Sequence, residues 1–280
     1  MTLHGVGLGP GEADLVTVRG KKILESAAVV YSPGRLSRSV ATEHVSETCI
    51  GDLDFPMTRD EDELRRAWKE AAEEIAPRAR EETVAFVTLG DPNVYSTFGH
   101  LRRTLTAFHP NIEIETVPGV SAVTAFTTAL GIEIASGADI ALHEAPCGAT
   151  PTGPDRMVLF KVTDVPATHE GLVEAGYDVV YGRRLYMEQG ETVVTDDPET
   201  LADRDYYTLA YAEKFSLDSE PATATFETAP TSDTETVTKT DGGPTSEEDR
   251  ELTDEMPSEV ARLERAEGEL CGDEVSGVSR

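Results

Sequence analysis

The chain has 280 residues, enough for about two ordinary domains with a sizeable core. Its 53 acidic residues against 24 basic ones give a formal charge of −29, which excludes the broad basic footprint of a general nucleic-acid binder. No apolar run reaches the ~18 residues of a membrane span, and no charged-then-apolar leader opens the chain, so a cytoplasmic protein away from the membrane is expected.

Leu3 to Val6 is a short apolar run that ends in the glycine cluster GVGLGPG. A helix is predicted from about Val16 to Ala28, followed by a buried strand, Val29 to Tyr31, stopped by Ser32-Pro33-Gly34. A loop-rich region then runs to Asp54-Phe55-Pro56-Met57. The next helix has a capping-box pattern at Thr58 and Glu61, with Leu64, Trp68, Ala72 and Ile75 on one face. Val84 to Leu89 is a continuous apolar run, the pattern of a parallel strand buried on both faces. Gly90-Asp91-Pro92 breaks it, a helix carrying Leu101, Leu105 and Phe108 follows, and Ile112 to Val117 is a further strand ending at Pro118-Gly119. This order predicts an α/β domain of mostly parallel strands over residues 1–117.

A second α/β domain is expected over 118–215. Ser121 suits the N-cap of a helix Ala122–Leu130, and Gly131 its terminator. Strand candidates are Met157–Val162, Tyr177–Met187 and Tyr206–Ala212, the last two of an antiparallel-containing type. Residues 216–280 carry eighteen acids and five bases with one aromatic, Phe226, and are read as an acidic, largely disordered tail. Within it, only MPSEVARLERAEGEL offers a weak helical stripe. Acidity also persists before the tail, with lysines scarce beside arginines. The favoured explanation is a high-salt cytoplasm, where self-repulsion is screened over about 3 Å at 1 M salt; the alternative is an ordinary acidic protein with an acidic tail. Three separated cysteines, Cys49, Cys147 and Cys271, with no CxxC spacing, argue against a disulfide framework or a cysteine-rich zinc site and for the reducing cytosol.

Two glycine loops invite ligands. The first, Gly5 to Gly11, resembles a dinucleotide turn, but Pro10 stands where that spacing wants glycine and the next strand ends in Ser32 instead of an acid. A tight turn after the first strand is the favoured reading there. The second, Thr88 to Phe98, is more informative. A buried strand delivers Gly90 and Asp91 to its carboxyl end, where open α/β sheets bind ligands. Gly90 permits close backbone approach, and Asp91 can accept from hydroxyl or ammonium groups. Ser96 and Thr97 supply hydroxyls and amides at a helix start. An ordinary Gly-Asp-Pro turn with a Ser/Thr cap is the alternative.

Taken together, GVGLGPGEADLVTVRG, VTLGDPNVYSTF and VPGVSAVTA resemble, in order and spacing, the tetrapyrrole methylases. DFPMT (Asp54–Thr58), the Trp68 helix and YSTF after Gly-Asp-Pro are similar to the branch acting at C-20 of precorrin-2, as are VLFKV and YMEQGETVV later on. The resemblance covers roughly residues 3–214. It implies a fold of two α/β domains meeting at a cleft, usually in a homodimer, and methyl transfer from S-adenosylmethionine to precorrin-2 or cobalt-precorrin-2 in cobalamin synthesis. No protein-bound metal is expected. The alternatives are another branch, such as a uroporphyrinogen methylase or diphthine synthase, and a non-catalytic cofactor-binding protein.

Carried over residue by residue, the resemblance assigns the cofactor to Leu89, Gly90, Asp91, Val94, Tyr95, Ser96 and Thr97, with Ser121 and Ala122. Phe160, Lys161 and Val162 fall where the second domain touches the nucleoside, Phe160 standing where the family has methionine. The trough for the tetrapyrrole is expected to involve Gly9, Pro10, Tyr31 and Asp54. The acceptor is a polycarboxylate and the protein is acidic, so local arginines are needed. Arg35 and Arg38, after the second strand, and Arg59, after FPMT, are the candidates for clamping carboxylates. Arg102-Arg103 and Arg183-Arg184 are expected to be solvated charges, and the six scattered histidines structural or exposed. No residue is assigned the removal of the C-20 proton.

Overall fold

The computed structural model describes residues 2–53 and 60–215. The motif residues Asp54 to Arg59, the expected tail and its weak helix lie outside the described residues. Five strands form the first sheet: β1 (Thr2–Gly7), β2 (Val29–Ser32), β3 (Ile50–Asp52), β4 (Val84–Thr88) and β5 (Glu113–Val117), in the order β3-β2-β4-β1-β5. Every pairing is parallel. Alternate residues therefore face opposite layers. Leu3, Tyr31, Val84 and Phe86 join one core with α3 (Glu61–Glu81) and α4 (Phe98–Phe108). Val6, Leu8, Val30, Ala85 and Val87 join the other with α1 (Val18–Ser26) and α2 (Arg35–Thr42). Burial on both faces explains why β4 reads as an unbroken apolar run.

The second sheet comprises β6 (Ala141–Glu144), β7 (Arg156–Phe160), β8 (Tyr177–Arg183), β9 (Val193–Thr195) and β10 (Thr208–Lys214), ordered β6-β7-β10-β8-β9. β6 pairs with β7 in parallel, while β10 pairs antiparallel with β7 and β8, and β8 antiparallel with β9. One face packs on α6 (Val165–Glu174) through Met157, Leu159, Leu172 and Tyr181. The other faces α5 (Ala122–Leu130) through Val158, Phe160 and Phe126.

The local signals explain most boundaries and correct several expectations. Ser121 Oγ accepts from the Val123 amide, and Gly131 ends α5 at φ 67°, as its lack of a Cβ allows. The first helix starts at Val18, later than expected, because the Thr17 hydroxyl accepts from the Gly20 amide and a 3₁₀ turn, Ala13–Leu15, takes the chain before it. Asp60, and not Thr58, caps α3, with Oδ1 accepting from the Glu63 amide at 2.9 Å. The region expected as loop between the second strand and Asp54 contains α2 and the edge strand β3. No helix among the described residues is long and apolar enough to cross a membrane.

Candidate ligand cleft at the carboxyl ends of the strands

The site begins where three backbones touch. β4, β1 and β5 are neighbours, and Gly90, Gly7 and Gly119 stand at or just past their carboxyl ends. A Cβ on Gly7 would lie 2.6 Å from both the Gly119 nitrogen and the Gly90 oxygen, and one on Gly119 would overlap that same oxygen. Only glycine allows these strand ends to close on one another. Gly9 then bonds back to Gly90 in an isolated antiparallel bridge, the Gly90 amide donating to the Gly9 carbonyl at 2.6 Å and the Gly9 amide to Gly90 at 3.3 Å. Gly5 to Gly11 is thus a structural turn that fixes the second loop.

That loop is held from within. Asp91 Oδ1 accepts from the Asn93 amide at 2.8 Å, and Oδ2 from the Gly119 amide at 3.2 Å. The carboxylate expected to receive a hydroxyl or ammonium group is therefore first a fastener between the loops after β4 and β5. Ser96 Oγ donates to Thr88 Oγ1 at 3.1 Å and accepts from the Phe98 amide, closing the turn into α4. Between these anchors Tyr95 adopts φ 47°, a left-handed conformation uncommon for an aromatic residue. Its ring lies 4.8 Å from that of Phe160, and its hydroxyl donates to the Leu142 carbonyl. Burial, then the nearby Glu144 carboxylate, pushes its phenol above the ordinary value.

The loop borders a cleft of about 300 Å³ shared by the two sheets, at the lower end of the ~300–1,000 Å³ usual for small-molecule sites. Opposite Gly90–Thr97 stand Ser121 and Ala122, at the start of α5, and Phe160 and Lys161, at the end of β7. Lys161 also takes a left-handed φ of 54°, pairs with Glu144 and places Nζ 5.5 Å from the centre of the Tyr206 ring. Burial works against its charge, but Tyr206 and Glu144 outweigh it, and the ammonium is held above its ordinary pKa. The Tyr207 phenol is raised mainly by burial. The lining thus combines apolar rings with backbone polar groups, positive charge and hydroxyls that stay protonated at neutral pH.

All the residues expected to hold the cofactor line this cleft except Val162. Val162 is fully buried in the core under α6, and its amide donates to the Thr208 carbonyl. Of the trough residues, Pro10 and Arg35 line the cleft, whereas Gly9 serves the bridge beneath it. Tyr31 does not line the cleft: strand alternation turns it into the core with α3 and α4, at 1% exposure. Arg38 is no free clamp, because its guanidinium pairs with Asp52 and, at 3.3 Å, with Glu47. Asp54 and Arg59 lie outside the described residues. Arg183 and Arg184, expected as solvated charges, are engaged instead, Arg183 with Thr208 Oγ1 and the Leu201 and Asp203 carbonyls, Arg184 with Asp205 at 2.6 Å. Sequence reasoning missed Leu36, Met187, Tyr206, Tyr207 and Leu209, which reach the lining from three separate segments. Among the described residues no group of three or more His, Cys, Asp or Glu is placed to hold a metal.

Known proteins share this sequence pattern and this fold. The family model described as "Tetrapyrrole (Corrin/Porphyrin) Methylases" matches residues 2–202. A "Probable cobalt-precorrin-2 C(20)-methyltransferase" of Methanocaldococcus jannaschii is 31% identical over 141 residues, 48% of this chain and 60% of that protein, so the match spans less than two thirds of the relative. A "Cobalt-precorrin-2 C(20)-methyltransferase" of Salmonella typhimurium is 33% identical over 174 residues, 57% of this chain and 72% of that one. Among solved structures, a cobalamin synthesis related protein of Corynebacterium diphtheriae superposes with a TM-score of 0.62 at 20% identity, over 76% of this chain and 98% of that one. A uroporphyrin-III C-methyl transferase of Thermus thermophilus, solved with S-adenyl homocysteine, gives 0.55 at 17%, over 76% and 97%. At these identities the two structures establish the fold alone.

Proposed function

The chain belongs to the tetrapyrrole (corrin/porphyrin) methylases, and from that premise we propose that it transfers the methyl group of S-adenosylmethionine to C-20 of precorrin-2 or cobalt-precorrin-2, a step of cobalamin synthesis. One observation carries this reading. Gly90–Thr97, Ser121–Ala122 and Phe160–Lys161 face a single cleft in a chain whose relatives are named for that reaction.

The residues present suit the donor. Gly90 has φ 68°, and a Cβ there would meet nothing nearer than the Ala122 nitrogen at 3.7 Å, so the backbone adjoins open space. Leu89–Asp91 and Val94–Thr97 would hold it from the first sheet, Ser121 and Ala122 from α5, and Phe160 with Lys161 from the second sheet. S-adenosylmethionine supplies an activated methyl group on a cationic sulfur. The protein's work is then placement: a rigid loop, fastened by Asp91 and Ser96, sets the donor side, and the remaining lining sets the acceptor. Tyr95 and Tyr207 remain protonated at neutral pH, and the Tyr95 hydroxyl is spent on the Leu142 carbonyl. The positive charge would pass from sulfur to the macrocycle with the methyl and leave with the C-20 proton, so it is dispersed in the transition state, and an apolar lining would favour transfer.

The same reading takes residues 1–117 and 118–215 as the two domains, the assembly as a homodimer, and the location as a high-salt cytoplasm. Turnover with metal-free and cobalt-loaded precorrin-2 in parallel, at high salt, with the methylated carbon identified, tests the assignment. A C-20 methyl product is expected. Methylation elsewhere, or preference for uroporphyrinogen III, would move the chain to another branch. Binding of S-adenosylhomocysteine without any product would leave a non-catalytic binder.

A further inference from the structure

Residues 184–190 leave the second sheet after β8 and cross to the turn that follows β1. The crossing is tight on both sides. A Cβ on Gly11 would overlap the Tyr186 carbonyl oxygen and approach Met187 Cγ to 3.0 Å. A Cβ on Gly190 would lie 2.7–3.0 Å from the Arg184 side chain. Arg184 and Tyr186 adopt left-handed φ values of 52° and 60°, so the segment holds two conformations that side-chain-bearing residues rarely take.

Arg184 holds these turns together. Its Nε donates to Asp205 Oδ2 at 2.6 Å and its Nη1 to the Gln189 carbonyl at 3.0 Å. Its own carbonyl accepts from the Met187 amide at 3.2 Å and from Thr192 Oγ1 at 3.1 Å. The guanidinium lies 5.5 Å from the centre of the Tyr207 ring, and Asp205 Oδ1 accepts from the Tyr207 amide at 2.8 Å. One side chain therefore closes the 184–190 segment on itself and fixes Tyr207 beside it. The Arg184 and Asp205 side chains are 26% and 11% exposed, and a charge-assisted bond between partners so far withdrawn from water is short and strong enough to hold both.

Two residues so held, Met187 and Tyr207, line the main cleft. Met187 also lines a second cavity of about 20 Å³, together with Leu36 and Leu89, which border the main cleft as well. Met187 is thus part of a partition between the two spaces. Neither Met187 nor Tyr207 belongs to the loop, helix start or β7 end that would hold the donor. With Pro10 and Arg35 they form the wall left for the acceptor.

We propose that Arg184 is a positioning residue that straps residues 184–190 against the Gly9–Gly11 turn, and that Met187 and Tyr207, so held, set the depth of the acceptor end of the cleft. The acceptor role rests on the methyltransferase reading above, but the strap does not. Arg184→Gln attacks the strap from the second sheet and Gly11→Ala from the first, and Met187→Ala removes only the partition.

The test uses the full chain. Hydrogen exchange is followed at residues 185–190, S-adenosylhomocysteine is titrated calorimetrically, and kcat and KM are measured with precorrin-2. Arg184→Gln and Gly11→Ala are each expected to speed exchange in the strap about tenfold or more. Both should lower kcat/KM for the tetrapyrrole by about 10- to 100-fold, chiefly through KM, while S-adenosylhomocysteine affinity stays within about threefold. Met187→Ala should raise KM with exchange unchanged. Unaltered exchange in both strap variants overturns the strap, as does a parallel loss of S-adenosylhomocysteine affinity, which would mean general loosening. An unchanged KM in Met187→Ala overturns the depth role. If Arg184→Gln does not fold, Gly11→Ala and Met187→Ala still decide. If the wild type fails to methylate precorrin-2, the functional reading falls, and exchange alone judges the strap.

Discussion

The Tyr95 hydroxyl donates to the Leu142 carbonyl across 3.0 Å, so the loop after β4 is clasped to the edge strand of the other sheet. The same ring rests on Phe160, and both residues line the cleft. The clasp therefore fixes the separation of two walls that meet one ligand.

Tyr95→Phe removes the bond and keeps the ring. A hydrogen bond of this kind is worth about 0.5–1.5 kcal/mol net to stability, so the melting temperature should fall by a few degrees, and the loosened walls should lower S-adenosylhomocysteine affinity several-fold by calorimetry. Because burial raises this phenol, the donor persists through neutral pH, and its contribution should disappear only above the ordinary tyrosine value near 10. An affinity indifferent to the substitution would deny the clasp any part in binding.

Gly119 and Gly90 should respond differently to alanine. At Gly119 a methyl group strikes backbone on two sides, and overpacking of that kind costs about 1–3 kcal/mol or more. Gly119→Ala should therefore lower the melting temperature by several degrees in a thermal scan. At Gly90 there is room, and the cost is conformational, about 1–2 kcal/mol for an L-residue at φ 68°. Gly90→Ala should remain folded and show its defect mainly in donor affinity.

Arg35 lines the cleft, and no acid among the described residues is paired with it, whereas Lys161 is tied to Glu144. It is the cation of the lining left available to a carboxylate. Arg35→Glu should weaken tetrapyrrole binding about tenfold or more, since a charge-assisted bond becomes a repulsion, and should spare S-adenosylhomocysteine. Equal tetrapyrrole affinity in wild type and variant would exclude Arg35 as a carboxylate clamp.

The cleft residues expected to hold the donor are legible in the sequence because they lie in three contiguous blocks, the first two carrying a glycine or a cap whose purpose is local. Met187, Tyr206 and Tyr207 are not, because only the second sheet's order brings them to the same cleft. Tyr31 misleads for a related reason. A residue at a strand end adjoins a loop in sequence, yet period-two alternation decides which layer receives its side chain, and Tyr31 pairs across to Phe86 with both rings in the same core. α6 escapes a reading by pattern because Pro166 looks like a break, although proline fits its first turn and Asp164 caps it. β3, β6 and β9 are short strands, and β3 and β9 have only three residues each, too few to show a period.

The buried tyrosines give a pH prediction with a definite sign. Burial pushes the phenols of Tyr31 and Tyr211 up to about 12, Tyr211 also through its bond to Glu213. A pKa raised by folding means stability that is complete below the unfolded value near 10 and is lost as pH climbs through the folded one. Urea midpoints should therefore hold to about pH 10 and fall between about 10 and 12. Tyr31→Phe should shrink that alkaline loss; an identical slope in the variant would show that other groups govern it.

Where Gly7, Gly90 and Gly119 meet, main chain touches main chain, and no side chain is present whose size or rotamer can be adjusted. At Gly7 and Gly119, where an added Cβ would strike backbone, substitution has little room to work. On the proposed reading, a change of acceptor preference in this chain would instead be written into the walls that carry side chains, at one end of the hollow, while the glycine floor stays as it is.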